Sequence, residues 1–417
     1  MLRISSLRFV FYSPEKSVVT QVRELSVSPS TDLSDLVLAL PEGNYKLVVI
    51  ANPTPKLVAR TAVGSPLSQL TGYEHYYTDE LATQGSQLTV SLLNEQGPVT
   101  VMSAAFSSTT PQVRIQLESV LARVLVYGEP RLAGGAKRGS APAGYVLSPQ
   151  ARYTAPLRPL GLLRTGGSEV AGDGSHPEDR YPTSRMCQEW KDSAPRSLTE
   201  LLSHFALDRM TSHEGGEDIY LARLLPDEQA LAAAVSNIHA YARETTLPPT
   251  AYLVGALPSL VIRFPYIPGG LTLRENEGWV SFRGKYYAES QMKEWIRSDD
   301  FDDSTLAEAV KAARINEDSF TAPFEQGDLR FYYRGYNYYV VPIRHFDDTK
   351  APTKTSIGRY GVVRGAEYRI RLTQILRPGT PVPPDLTADL TPVAEEKNVH
   401  AIVSVRPIVV HSSEIHI

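Results

Sequence analysis

Four short segments carry residue types that could perform chemistry, and the spacing completes a site in none of them. The glycine-rich stretch 134–140 (GGAKRGS) superficially resembles a phosphate-binding loop. It lacks the order G-x-x-x-x-G-K-[ST] and the strand-to-helix context that such a loop needs. His213 and Glu214 begin like a zinc-binding helix, but glycines follow and the second histidine is missing from the fourth position. A flexible linker and a turn explain these two segments better.

The other two segments are acidic. Residues 299–303 (DDFDD) hold four aspartates, but calcium loops also need a glycine at the bend and a distal glutamate. The pattern favours a solvated acidic turn in which Asp303 caps a helix at 304–313. His345 precedes the acidic pair 347–348, which indicates a polar turn at a strand end rather than an acid–base couple or a metal ligand. The sequence therefore predicts no enzyme activity and no catalytic, cofactor-binding or metal-ligating residues.

Bulk composition narrows the class of protein further. The chain has 417 residues, 42% of them hydrophobic, with 42 Lys and Arg against 46 Asp and Glu. A length of this kind indicates two or three domains with packed cores. The net charge of −4 argues against a nucleic-acid partner, and no apolar run is long enough for a membrane span. Cys187 is the single cysteine, so an internal disulfide cannot form.

Short β-branched and aromatic segments, separated by turn residues, recur along most of the chain. This spacing is typical of β-sandwiches rather than of alternating strands and helices. Residues 128–144 are rich in Gly, Ala and Pro and predict a linker. The predicted organisation is a mainly β protein with an N-terminal β-sandwich at 1–127 and a C-terminal β-sandwich at 145–417. The second carries a helix-containing insertion at about 160–250.

Within that insertion two helices are predicted, one after a capping pattern at Ser197 and one from Pro226 through Arg243. Further on, residues 330–339 hold six aromatic side chains. They predict a hairpin whose turn is 334–337, with tyrosines on both faces. Stacking on sugars is the alternative use of such a cluster, and a surface glycan-binding protein is accordingly the alternative function.

Two sets of motifs resemble the fimbrillin family of Bacteroidales. Near the start, residues 4–12 (ISSLRFVFY) are similar to an early strand of that family, and 40–52 (LPEGNYKLVVIAN) to its strand–turn–strand ending in Ala-Asn. Near the end, 338–343 (YYVVPI) and 358–372 are similar to a tyrosine-rich strand and the strands that follow it. A proline-rich link at 377–384 then precedes a terminal β segment.

The resemblance implies a structural subunit of a cell-surface fimbria, built of two transthyretin-like β-sandwiches and contributing to adhesion. The insertion at about 160–250, which matches nothing in the family, favours an accessory or tip subunit over a shaft subunit. Its implied partners are other subunits of the filament, with host or bacterial surface ligands as further candidates. It also implies an exported lipoprotein precursor, associated with the outer membrane, whose first strand is removed by an arginine-specific protease. Arg3 stands just ahead of the expected second strand and is the candidate processing site.

Strand exchange is the assembly mechanism that the resemblance implies, and it has a physical basis. A sandwich that lacks a strand leaves unpaired backbone groups beside an apolar groove, which a neighbour's strand can fill. The acceptor-groove candidates are Leu7, Phe9 and Phe11.

The segment beyond Lys397 alternates nearly to its last residue and is predicted to join subunits. The polymerisation strand would use Ile408, Val410, Ile415 and Ile417. An ordinary edge strand of the second domain is the alternative, and a split role with 401–408 in the parent sandwich and 409–417 in a neighbour also fits.

Overall fold

The computed structural model is described for the following residues: 3–28, 30–31, 33, 35–84, 88–95, 97–102, 112–157, 189–190, 192–197, 199–200, 203, 205–206, 222–231, 237–345, 359–384, 390–391, 399–408 and 412–416. The chain is mainly β, as the sequence predicts.

In the described part of the first 127 residues there are eleven strands and two short α-helices. The strands are β1 (Ser6–Tyr12), β2 (Val19–Ser26), β3 (Asp35–Val37), β4 (Tyr45–Ala51), β5 (Glu74–His75), β6 (Ala82–Gln84), β7 (Leu88–Val90), β8 (Leu92–Asn94), β9 (Val99–Val101), β10 (Gln112–Ser119) and β11 (Leu121–Tyr127). The helices are α1 (Pro55–Arg60) and α2 (Ser68–Thr71).

Further along, most strands are short. They are β12 (Arg131–Leu132), β13 (Lys137–Arg138), β14 (Gly144–Ser148), β15 (Gln150–Ala151), β16 (Tyr153–Thr154), β17 (Phe205–Ala206), β18 (Ala222–Arg223), β19 (Tyr241–Arg243), β20 (Thr245–Thr246) and β21 (Ser259–Ile267). The remaining elements are β22 (Trp279–Phe282), β23 (Lys285–Ala288), α3 (Glu289–Ser298), α4 (Ser304–Ala312), β24 (Phe324–Gln326), β25 (Leu329–Tyr332), β26 (Tyr336–Pro342), β27 (Gly361–Val362), β28 (Ala366–Ile375), β29 (Val399–Pro407) and β30 (Ser412–His416).

The first sheet is built from the N-terminal strands and from one strand at the far end of the chain. Its order is β2-β1-β4-β8-β10-β30-β3, with β9 also paired to β4. β1 and β4 are near-continuous apolar runs, and their side chains are buried. Strands with this pattern are covered on both faces, because an exposed face would select polar residues at alternate positions. Their side chains form much of the first core.

The second and third sheets share one core. The second has the order β12-β28-β11-β19 with β29 on β28, and the third has the order β13-β21-β14-β18 with β26 on β21. Val124 and Tyr368 of the second sheet belong to the same buried cluster as Leu147 and Leu260 of the third. The two sheets are therefore packed as layers around common apolar contacts.

A smaller unit is inserted between β21 and β26, which are themselves neighbours with Pro265 opposite Tyr336. It is a four-stranded sheet, β23-β22-β25-β24, with α3 and α4 packed against it. β22 and β23 form a hairpin whose turn, Arg283-Gly284, has positive φ at both residues. Two positive φ values match the right-handed twist of paired strands. The predicted insertion at about 160–250 is a different segment and lies largely outside the described residues.

The predicted division at residues 128–144 stays a prediction, but the hydrogen bonds around it are informative. The chain leaves the first sheet at Val120, because β10 pairs with β8 and β30 whereas β11 pairs with β19 and β28. Inside the predicted linker, β12 pairs with β28 and β13 with β21. The segment thus runs along strands of the second half.

Three local predictions have different outcomes. The helix at 304–313 is confirmed: Asp303 accepts hydrogen bonds from the backbone N–H groups of Thr305 and Leu306. The helix through Arg243 is wrong at its end, because residues 241–243 form β19 and pair with β11. Helix α3 was not predicted, although Met292, the start of an i, i+3, i+4 apolar pattern, is buried against the inserted sheet.

The predicted hairpin with its turn at 334–337 is also wrong. β25 pairs with β22 and β24, whereas β26 pairs with β21 in another sheet. Within the inserted sheet the Trp279 indole stacks on Tyr332, its partner on the neighbouring strand, with 3.7 Å between centroids. Its Nε1 donates to the Tyr266 carbonyl at 2.9 Å, which ties the inserted unit to the third sheet. The chain crosses between these sheets at 333–335.

Replacing this anchor should destabilise the protein. We expect Trp279→Ala to cost about 3–5 kcal/mol of unfolding free energy, since it removes a fully buried aromatic side chain. Urea denaturation measures the loss. Trp295→Ala is the control: Trp295 is only partly buried in the same unit and should cost less. Equal losses for the two variants would contradict the anchoring role.

Candidate assembly site

The end of the chain passes from one sheet to another. β29 pairs with β28 along its whole length, from Ala366 opposite Pro407 to Ile375 opposite Val399. The next residue, Ile408, donates its N–H to the Gly365 carbonyl at 2.7 Å, and its side chain is buried in the first core. After three more residues β30 lies in the first sheet. The terminal segment is therefore shared between the two halves of its own chain.

β30 fills a slot between two strands that are far apart in sequence. It is antiparallel to β10, with Gln112 opposite His416 and Gln116 opposite Ser412. On its other side it is parallel to β3. Residues 112–116 of β10 pair with β30, and the Gln116 carbonyl also accepts from the Glu95 N–H at 2.9 Å, while β3 pairs with the other side of β30. Without β30, the backbone groups along both strands would lose these hydrogen bonds.

The walls of the slot are apolar. Ile415 is the register partner of both Val113 and Leu36, which are buried members of the first core. Ile115, two residues along β10, is also buried. A strand with apolar residues at alternate positions fits such walls, and a shift of one residue would misplace every side chain. Of the predicted polymerisation residues, Val410 and Ile417 lie outside the described residues.

The acceptor-groove candidates lie elsewhere in the same sheet. Leu7, Phe9 and Phe11 are buried in β1, which is hydrogen-bonded to β2 on one side and to β4 on the other. They belong to the first core, together with Ile115 and Leu36. Their part in assembly stays a prediction.

Arg3, the candidate processing site, is exposed and is held by its backbone. The Asn52 side chain donates from Nδ2 to the Arg3 carbonyl at 2.8 Å and to the Val90 carbonyl at 3.1 Å, and its Oδ1 accepts from the Ser5 N–H at 2.8 Å. Asn52 has φ of +50°, and asparagine tolerates this left-handed region better than most residues. The Ala-Asn end of the strand–turn–strand motif thus clamps the start of the chain. Processing at Arg3 stays a prediction.

Most rings of the tyrosine-rich segment are buried. Phe331, Tyr332, Tyr338 and Tyr339 are buried, Tyr336 lies under the guanidinium of Arg263, 4.2 Å from it, and Tyr333 is partly exposed. Burial of the first five rings argues against sugar stacking on them, because stacking needs an open aromatic face.

Two side chains of the acidic turn form local ion pairs. Asp303, besides capping α4, accepts from Lys285 at 2.8 Å, and Asp299 pairs with Lys311 at 2.8 Å. The described part of the chain contains no group of three or more His, Cys, Asp or Glu residues placed to hold a metal ion.

His345 is a titratable group whose pKa is shifted by its surroundings. Its Nδ1 lies 2.7 Å from the Tyr368 hydroxyl, which also accepts the Val363 N–H at 2.8 Å. Burial disfavours the charged imidazolium and lowers the pKa of His345 to about 4, although Glu244 acts in the opposite direction. Asp347 and Asp348, the acidic pair that follows His345 in the sequence, lie outside the described residues. The hydrogen bonds indicate a structural role for this histidine.

Comparison with known proteins supports the resemblance. Residues 330–414 match the family model described as major fimbrial subunit protein type IV, fimbrillin, C-terminal. No curated protein matches the chain. Among solved structures, a fimbrilin from Porphyromonas gingivalis W83 is similar at 14% identity and a TM-score of 0.43, over 97% of this chain and 91% of that one. A candidate cell adhesion protein from Parabacteroides distasonis ATCC 8503 is similar at 12% identity and a TM-score of 0.43, over 97% and 94%. TM-scores at this level are too low to carry the assignment, which comes from residues 330–414.

The Asn52 clamp gives a testable prediction. Asn52→Ala should lower the unfolding free energy by about 1–3 kcal/mol, because buried backbone groups lose their partners. It should also speed trypsin cleavage after Arg3, measured by mass spectrometry. Asn52→Gly keeps the positive φ accessible and loses the same bonds, so it should be cut as fast but be less destabilised. Unchanged cleavage in both variants would contradict the clamp.

His345 predicts a pH dependence. Its pKa is lower in the folded than in the unfolded state, so the unfolded chain binds the proton first as the pH falls. Stability is fully present above about pH 6.5 and declines towards pH 4, by up to about 3 kcal/mol. Urea denaturation across this range should show a flatter profile for His345→Gln than for the wild type. Parallel profiles would contradict this assignment.

Proposed function

The chain belongs, by residues 330–414, to the fimbrillin family, and on that premise we propose that it is a structural subunit of a bacterial cell-surface fimbria. Its partners are other subunits of the same filament, and it contributes to adhesion. We assign it no enzyme activity. No helix in the described ranges is both long enough and apolar enough to span a membrane. The precursor is an exported lipoprotein that an arginine-specific protease processes, with Arg3 as the site.

One observation carries the proposal beyond the family match. The last strand of the chain, β30, completes the first sheet from a position 285 residues or more beyond the strands of the first half. β30 is joined to β29 only through residues 408–411, and a single strand of this kind is an element that two copies of a chain can exchange. Main-chain hydrogen bonds then supply affinity and the side-chain pattern supplies register. Strand exchange is therefore the proposed joint.

The inserted unit supports a proposal for the position within the filament. Residues 268–335 have their own buried core and contribute no strand to the first sheet. A repeating shaft subunit has no need of such a unit for its joints. We therefore assign the chain to an accessory or tip position, where an added surface can be presented without disturbing assembly.

Polymerisation of the purified chain tests this function. We expect concentrated subunits, loosened in low urea and then returned to buffer, to form linear multimers visible by electron microscopy. A chain lacking 409–417 should form none, since it has no strand to donate. Ile402→Ser is the matched control, because Ile402 is an exposed β29 residue outside β30 and its loss should leave assembly intact.

Two outcomes would overturn the proposal. One is a wild-type chain that stays monomeric at every concentration tested. The other is a chain without 409–417 that polymerises as well as the wild type. Binding of the monomer to a glycan array, with no polymerisation, would instead favour a glycan-binding protein.

A further inference from the structure

Two exposed tyrosines contact the same histidine beside the short two-stranded ribbon that β5 and β16 form. Among the described residues, five large apolar side chains are exposed, and the two aromatic ones are Tyr77 (56%) and Tyr153 (38%). Both rings meet the imidazole of His75 edge to face, with ring centroids 4.5 and 6.3 Å from it. Single exposed rings are ordinary on protein surfaces, whereas these three rings together form one aromatic platform.

The backbone beneath the platform is held at several points. Tyr153 is the register partner of His75 in the ribbon. Tyr76, which stands between the two platform residues of its segment, donates its N–H to the Arg152 carbonyl at 3.1 Å. Its own carbonyl accepts from the Arg243 guanidinium at 2.5 Å. Rings on a backbone fixed in this way lose little conformational entropy when a ligand covers them.

An ion pair lies directly beside Tyr77. The Glu80 carboxylate accepts from the Tyr77 N–H at 2.7 Å and from the Lys56 ammonium at 2.8 Å, in both cases through Oε2. Oε1 can therefore accept from a further donor. The side chains of Lys56 and Glu80 are 26% and 30% exposed, so the edge of the platform offers both a donor and an acceptor to a bound molecule.

The charges around the platform are matched. Lys56 pairs with Glu80, and Arg60 pairs with Glu74. Burial lowers the pKa of His75, so its imidazole is neutral at pH 7. A site of this kind favours an uncharged ligand, because each of these charges already has its counter-ion.

A sugar ring in the pyranose form has the chemistry that the platform requires. Its C–H groups carry partial positive charge and are attracted to the negative faces of aromatic rings, and its hydroxyls need donors and acceptors at the rim. Nucleic acid bases also stack on tyrosines, but their phosphates need cations that are not already paired. A protein partner needs about 800 Å² from each side, and two tyrosines contribute only about 150–250 Å² each.

We propose that Tyr77, His75 and Tyr153 form a binding platform for a neutral carbohydrate, and that Glu80 and Lys56 hydrogen-bond to its hydroxyls. This inference rests on the proposed contribution to adhesion and adds its site and its class of ligand. The ribbon is a separate sheet from the one that β30 completes, so carbohydrate binding and assembly can be measured independently.

An array of neutral, sialylated and sulfated oligosaccharides tests the site with the full-length chain. We expect the wild type to bind neutral glycans. Tyr77→Ala and Tyr153→Ala should each weaken binding by about threefold to tenfold, whereas Tyr77→Phe and Tyr153→Phe should retain it, because the ring rather than the hydroxyl stacks. Met102→Ala is the matched control: Met102 is also 56% exposed but is no part of the platform, and its loss should leave binding unchanged.

Three outcomes would overturn the platform. They are a wild type that binds no glycan on the array, binding only to sialylated or sulfated glycans, and equal binding by the wild type and both alanine variants. Filament formation, scored by electron microscopy on the same preparations, tests the fimbrial role separately. Filaments without glycan binding would leave that role standing. Binding of neutral glycans that only the alanine variants lose, by a chain that forms no filaments, would support the platform and sink the fimbrial role.

Discussion

The first sheet depends on the backbone hydrogen bonds in one slot, the gap between β10 and β3 that β30 fills. A sheet core is stable only if the backbone groups of its strands are paired. Here β10 and β3 obtain their shared partner from β30. The first sheet therefore cannot be completed until the end of the chain is present, and its closure spans almost the whole sequence. Contacts of such separation form late in folding, because the loop-closure entropy must be overcome first.

A second long-range link ties the halves together. β11 runs parallel to β28, with Arg123 opposite Glu367, and these two side chains form a buried ion pair. Burial opposes ionisation of the Glu367 carboxyl, yet Arg369 and Arg123 hold its pKa below the usual value. Breaking such a pair on one side would leave an uncompensated charge. The first 127 residues are thus joined to the second half of the chain by the hydrogen bonds between β11 and β28 and by the Arg123–Glu367 ion pair.

Sequence patterns correctly predicted those elements that depend on residues close together in the sequence. The apolar runs of β1 and β4 and the cap at Asp303 were readable because each depends on neighbours in sequence. The hairpin at 334–337 failed because the two strands have distant partners in different sheets, β22 for β25 and β21 for β26. A period of two indicates which residues share a face but not which strand lies alongside. The terminal strand was therefore foreseen, whereas its slot was not.

The inserted unit and the slot lie in different sheets of the protein. The inserted unit follows β21 and precedes β26, and these two strands are paired up to Pro265 opposite Tyr336. The strand pairing of the third sheet therefore does not depend on the length of the segment between them. Its core is its own, anchored chiefly at Trp279. Changes on its exposed helices therefore need not disturb the slot, which depends on β10, β3 and the last residues of the chain. Two surfaces of a protein can vary independently when they belong to different sheets, as the inserted unit and the slot do here.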